Sequence, residues 1–165
     1  MSCGQRSQVA LGLILAQNAD LLVLDDFSLG LDPGYRRLFV DYLREFAKAE
    51  EKTVFMTSHI IQDLERLIDD TIILDYGKIL TQMPVDKLLR DFSCFTMDTE
   101  ADVEALKQVP GIINPEKFKN EAEVYSFKGA DEFKASLDSL GIKYDNFKRR
   151  DMSLEDAFIG LTGKY

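Results

Sequence analysis

Up to about Phe92 the apolar positions fall into two alternating kinds of run. Short unbroken runs lie at Leu21–Leu24, at TVFMT from Thr53 to Thr57, and at TIIL from Thr71 to Leu74. Their length and continuity predict strands buried on both faces of a parallel sheet. Between them, apolar residues recur at helical spacing. Val9, Ala10, Leu11, Leu13, Ile14 and Leu15 mark a first helix, apolar on most faces and therefore expected to be well buried. Leu38, Phe39, Tyr42, Leu43 and Phe46 mark a second, ending near Glu50-Glu51-Lys52, and Ile60, Ile61, Leu64, Leu67 and Ile68 a third. Asp32-Pro33 reads as a helix N-cap followed by a first-turn proline. Ser2 to Gln5 fits a capping box at the start of the first helix. Tyr76-Gly77-Lys78 predicts a turn into a short strand at Ile79-Leu80, and Pro84 opens a helix through Val85, Leu88, Leu89 and Phe92. Alternating strands and helices of this kind predict an α/β fold.

Beyond Phe92 the pattern changes. SCFTMD from Ser93 to Asp98 alternates as an exposed-face strand would, and a short helix is expected from Glu100 to Val109. Glu116–Lys119 and Glu123–Phe127 read as two strands around a turn at Asn120. Ala130–Leu140 reads as a helix and Tyr144–Lys148 as a strand, and Ser153 caps a last helix through Phe158 and Leu161. The order β-α-β-β-α-β predicts a small ferredoxin-like α+β domain. The expected division is therefore residues 1–92 and residues 93–165.

Composition narrows the partners. The chain has 165 residues, 45% hydrophobic and 30% charged, with a net charge of −9. A packed core is expected. The acidic balance argues against nonspecific binding to nucleic acid or to an anionic membrane surface. Two cysteines form no framework pattern, which suits a reducing cytoplasm. No apolar run approaches the length of a membrane span.

Charge also singles out Asp25 and Asp26. They follow directly on the Leu21–Leu24 run, at the edge where parallel sheets place ligands. Adjacent carboxylates are costly to desolvate unless a cation or hydrogen bonds receive them. Mg²⁺, held by few carboxylates plus phosphate oxygens, fits that need. A strand that ends in an acidic turn is the plainer alternative. The first helix offers its N-terminus, with Gly4 in the first turn, as an anion site or as an ordinary capped end.

Three of these features occur together and in order: SCGQ at residues 2–5, LLVLDD followed by SLGLD across residues 21–32, and TSH at residues 57–59. Together they resemble the ATP-binding subunit of an ABC transporter. SCGQ resembles the signature motif, LLVLDD the Walker B strand, SLGLD the D-loop, and His59, the chain's only histidine, the switch histidine. The resemblance covers about residues 1–90. Residues 93–165, with MSLEDAFIGLTG near the end, resemble the small domain of drug and polysaccharide exporter ATPases.

The resemblance implies the carboxy-terminal part of a P-loop NTPase fold, with ATP and Mg²⁺ as cofactors. Ser2, Gly4 and Gln5 would approach the γ-phosphate of ATP held by a second ATPase subunit. Asp25 would hold Mg²⁺. Asp26 would stand in the place of the general base or water-positioning carboxylate, and His59 would bond the γ-phosphate and the attacking water. Asp32 would couple the two sites of the dimer. A membrane-spanning permease subunit, no nucleic acid, and a cytoplasmic place at the inner face of the membrane follow from the same resemblance.

Departures from the family pattern bear on activity. No G-x-x-x-x-G-K-[ST] occurs in the sequence, although that loop cradles phosphates and supplies a lysine. The chain is accordingly expected to be the later part of an ATPase or the product of a truncated gene, and to bind ATP poorly alone. Such a product could instead dock on an intact ATPase without catalysing, or act through a regulatory 93–165 domain. The family strand that would lie between TVFMTS and TIIL is also missing. The gap should close by direct pairing of those strands, or by association of two copies. Cys3 stands where many members have Gly, and Phe27 and Leu29 replace the common Pro and Ser. Asp26 replaces the usual Glu and is one methylene short. A displacement on the order of 1 Å can cost about 100-fold in rate. In an ATPase where this chain accompanies a phosphate loop, Asp26→Glu should therefore raise steady-state turnover, and unchanged turnover would refute a reach defect.

Overall fold

The computed structural model describes residues 3–27 and 30–163. They form a mixed α/β structure with small sheets, in two compact units, 1–68 and 69–165. Ser2, Ser28 and Leu29, and with them the Ser2 cap and part of the D-loop resemblance, lie outside the described residues.

The first unit is built from α1 (Cys3–Ala16), β1 (Leu21–Asp25), α2 (Pro33–Ala49), β2 (Thr53–Thr57) and α3 (Ile61–Leu64). β1 and β2 pair in parallel, with Leu22 opposite Val54 and Asp25 opposite Thr57. At the other end, the Thr53 amide donates to the Asp20 carbonyl at 2.9 Å, and Lys52 Nζ reaches Asp20 Oδ1 at 3.2 Å. Leu22 and Leu24 point into a core with Leu11, Leu31, Val40 and Leu43, flanked by Val54 and Met56.

Neither strand is buried on both faces, contrary to the expectation from its apolar run. Leu21, Val23 and Phe55 are 55%, 63% and 54% exposed. Within this unit the helices cover one face of the pair, so strand alternation decides which apolar residues are buried. The first helix is likewise only partly covered: Leu11 is buried, whereas Val9 and Leu13 are more than half exposed. The third helix is a single turn, Ile61–Leu64, rather than a run to Ile68.

The second unit begins with an antiparallel hairpin, β3 (Asp70–Asp75) and β4 (Lys78–Pro84). Tyr76 and Gly77 have φ of 44° and 74°, the left-handed pair that a tight two-residue hairpin turn needs. This geometry explains why β3 joins β4. Among the described residues of each unit, β2 pairs with β1 and β3 with β4. Helix α4 (Val85–Asp91) follows, with Leu88 fully buried.

β5 (Ser93–Asp98), β6 (Ile112–Phe118), β7 (Glu121–Ser126) and β8 (Asp145–Arg150) make an antiparallel sheet in the order β6-β7-β5-β8. A 3₁₀ turn at Glu104–Gln108 replaces the helix expected from Glu100, and α5 (Ala130–Ser139) and α6 (Leu154–Thr162) complete the unit. Ser93–Asp98 is an interior strand, not an exposed-face one. Phe95 and Met97 enter a core with Leu106, Val124, Phe133 and Leu137, while Ser93 and Cys94 are buried as well. Burial pushes the Cys94 thiol up to about 11, with the Glu123 charge adding to the effect, so it remains a neutral core thiol.

Ser153 caps α6 as expected. Its Oγ accepts from the Asp156 amide at 3.1 Å, while Asp156 Oδ2 accepts from the Ser153 amide at 2.9 Å. Burial would raise the Asp156 carboxyl, but the Ser153 hydrogen bonds and Arg150 outweigh it and hold the group below its ordinary value. Gly160 on this helix meets Tyr125: an added Cβ would fall 2.2 Å from the ring. Tyr125 is buried and stacks on Phe92 at 5.9 Å, which limits its retreat. Gly160→Ala should therefore cost about 1–3 kcal/mol of stability, read as a lower urea midpoint. An unchanged midpoint would show that the ring yields freely.

Candidate functional site

The site grows from the carboxyl ends of β1 and β2. Their parallel register sets Asp25 beside Thr57 and carries Asp26 and His59 past the same edge. The Thr57 hydroxyl donates to Asp25 Oδ1. The Asp26 amide donates to both the Thr57 carbonyl and the Thr57 hydroxyl oxygen, each at 3.1 Å. Asp26 adopts φ 45°, a left-handed conformation that Asp tolerates better than most residues.

Just beyond β2, the Ile60 amide donates to Ser58 Oγ at 3.0 Å, a local turn that ends the strand around His59. His59 Nδ1 and Asp26 Oδ1 lie 2.8 Å apart. With the carboxylate ionised, Nδ1–H is the donor. That fixes the ring's orientation and leaves Nε2 to accept a proton, or to donate one when the ring is charged. The side chains are 60% and 36% exposed for His59 and Asp26, so the pair is open to solvent and to a ligand. The short Asp26 side chain thus reaches the histidine directly.

Other sequence-predicted residues have different neighbours. An added Cβ on Gly4 would lie 3.0 Å from the Gly30 carbonyl oxygen. The first turn of α1 therefore rests against the turn after β1, and Gly4 has a packing reason to be glycine. Gln5 is exposed on the same turn. Asp32 is the N-cap of α2: its Oδ1 accepts from the Gly34 amide at 3.0 Å and the Tyr35 amide at 3.2 Å. Thr57 had no role assigned from sequence. Its place two residues before His59 was visible, but its partners depend on strand register.

The donor set suits Mg²⁺ in kind, because adjacent carboxylates supply hard oxygen ligands. It does not form a complete cage. Among the described residues no group of three His, Cys, Asp or Glu side chains could hold a metal. Asp25 would thus be one ligand to an ion completed by phosphate oxygens and water. An apolar groove of about 400 Å³ between α1 and α2, lined by Leu11, Leu15, Leu31, Leu38, Phe39 and Tyr42, includes none of these site residues.

No protein-family model matches the chain. Over 91 residues, 55% of this chain and 32% of the relative, it is 34% identical to the energy-coupling factor transporter ATP-binding protein EcfA2 of Staphylococcus aureus strain MRSA252. Over 172 aligned positions, 99% of this chain and 53% of the relative, it is 26% identical to the Nod factor export ATP-binding protein I of Ralstonia nicotianae. The chain spans about a third and about half of these relatives' lengths.

Asp32 offers a direct test of its capping contacts. Asp32→Ala should cost about 1 kcal/mol of stability, while Asp32→Asn should keep most of it, because either side-chain oxygen can cap. Equal losses in urea unfolding would mean that charge, not capping, is what Asp32 supplies. On the order and spacing of its motifs and on these relatives, the chain is a homologue of the ATP-binding proteins of ABC transporters.

Proposed function

We propose that this chain is the carboxy-terminal part of the ATP-binding and ATP-hydrolysing subunit of an ABC exporter. Residues 1–92 would be the ATPase part and residues 93–165 a ferredoxin-like accessory domain. The observation that carries this is the Asp26–His59 pair, 2.8 Å apart at the carboxyl end of the β1–β2 ladder. A carboxylate that orients an imidazole, beside a second carboxylate of Mg²⁺-ligand type, suits phosphoryl transfer by positioning and charge neutralisation.

In this role Asp25 would help hold Mg²⁺, which neutralises phosphate charge when bound. Asp26 would take or orient the proton of the attacking water. His59 would present Nε2 to the γ-phosphate. The Gly4 turn of α1 would face ATP held by a second ATPase subunit, as expected for a signature helix. Coupling to transport would run through a membrane-spanning permease, with the chain peripheral at the cytoplasmic face. No helix among the described residues is long and apolar enough to cross a membrane.

One sequence observation favours a second reading. Residues 1–165 contain no G-x-x-x-x-G-K-[ST], the loop that cradles phosphates. The chain could dock on an intact ATPase as a non-catalytic partner. Isothermal titration of the 165-residue chain with ATP and Mg²⁺ should show no tight stoichiometric binding. In the presence of an ATPase subunit that carries the phosphate loop, the hydrolytic role predicts turnover that Asp26→Asn lowers by roughly 10²–10⁴-fold. Turnover indifferent to Asp26→Asn would instead support the non-catalytic partner.

A further inference from the structure

We propose that Thr57 is the positioning residue of this site: one hydroxyl ties Asp25 and Asp26 together and holds the Asp26 carboxylate where His59 meets it. The inference rests on Asp26 and His59 being the hydrolytic pair. A threonine at a strand end could satisfy its hydroxyl with water. Here the hydroxyl is committed in both directions, donating to Asp25 Oδ1 and accepting from the Asp26 amide at 3.1 Å. The Thr57 carbonyl takes the same amide at 3.1 Å. Three contacts from one residue thus converge on two adjacent acids.

The arrangement solves a local electrostatic problem. Asp25 and Asp26 are consecutive carboxylates, and like charges at short range repel. The hydroxyl proton draws Asp25 toward Thr57, its strand-register partner. The amide contact keeps Asp26 in its left-handed turn at φ 45°, with its carboxylate toward His59 Nδ1. Without the hydroxyl, the backbone carbonyl still accepts the Asp26 amide, so the strand end persists. Asp25 then loses its donor and becomes free to rotate, and the Asp26 amide, held by the carbonyl alone, lets the turn and its carboxylate shift relative to His59. Thr57 would act through these residues and not on substrate itself.

His59 is the chain's only histidine, so its ring nitrogens report the contact without ambiguity. The test is ¹⁵N NMR of the 165-residue chain at a pH where the ring is neutral, comparing wild type, Thr57→Val and Thr57→Ser. Valine keeps the branched shape that a strand favours and removes only the hydroxyl. Wild type and Thr57→Ser should show one tautomer, protonated at Nδ1. Thr57→Val should lose that signature and show the averaged tautomers of a free imidazole, while the Leu22 and Leu24 amide signals stay in place. An averaged ring in wild type, an unchanged ring in Thr57→Val, or a serine variant that behaves like valine would overturn the proposal.

If Thr57→Val does not fold, the χ1 couplings of Thr57 in wild type decide. A single rotamer supports the proposal and rotamer averaging overturns it. None of these measurements needs nucleotide. Their failure would leave the hydrolytic role to the ATP experiments, and failure of those would leave the hydrogen-bond geometry standing.

Discussion

The parallel pairing of β1 with β2 is the constraint on which the site depends. Residues distant in sequence become neighbours because Leu21 pairs with Thr53 and the register runs without a bulge to Asp25 and Thr57. A slip of one residue would turn Leu22 and Leu24 out of the core and separate Asp25 from its hydroxyl partner. Register is therefore fixed by the apolar face, and the chemistry inherits it. Full burial of a leucine is worth about 1.5–3 kcal/mol, an upper range because unfolded chains already bury some surface. Leu22, Leu24 and Leu43 thus do more to hold the carboxylates in place than any contact among the exposed site groups.

The two units solve the burial problem differently. In the second unit, a four-stranded sheet closes over Phe95, Met97, Val124 and Phe133, and β5, flanked by β7 and β8, is covered on both faces. Among its described residues the first unit has two strands, and its helices cover one side of them. Val23 and Phe55 remain open on the other side, and Val9 and Leu13 remain open on α1. Exposed apolar residues and an unpaired strand edge are features of surfaces that take partners. The same unit carries the Asp26–His59 pair, which in the proposed role also needs groups from outside the chain.

Motif order made the candidate site legible, while residue identity alone did not. Asp25, Asp26 and His59 stand out in the sequence, and the fold brings them to one edge. Asp32 was legible twice, as a D-loop residue and as an N-cap beside Pro33, and the described geometry shows the cap. Gly4 offers a first turn that a phosphate can approach, and in the fold its neighbour is the Gly30 carbonyl. Thr57 is silent in the sequence, because a threonine at a strand end has no distinctive signal. Its hydroxyl acquires meaning only when another strand delivers two acids beside it.

By itself the sequence determined which segments are helical or extended wherever local chemistry is decisive. Asp32-Pro33 starts α2, Ser153 with Asp156 starts α6, and Tyr76-Gly77 turns the β3–β4 hairpin, because caps and left-handed turns are settled within a few residues. It also determined the motif order that marks the homology. Only the tertiary structure decided which face of each apolar strand is covered. An unbroken run such as LLVL is equally compatible with one covered face or two, and covering is done by elements distant in sequence. For the same reason SCFTMD proved to be interior, and the LLVL strand proved to be half open.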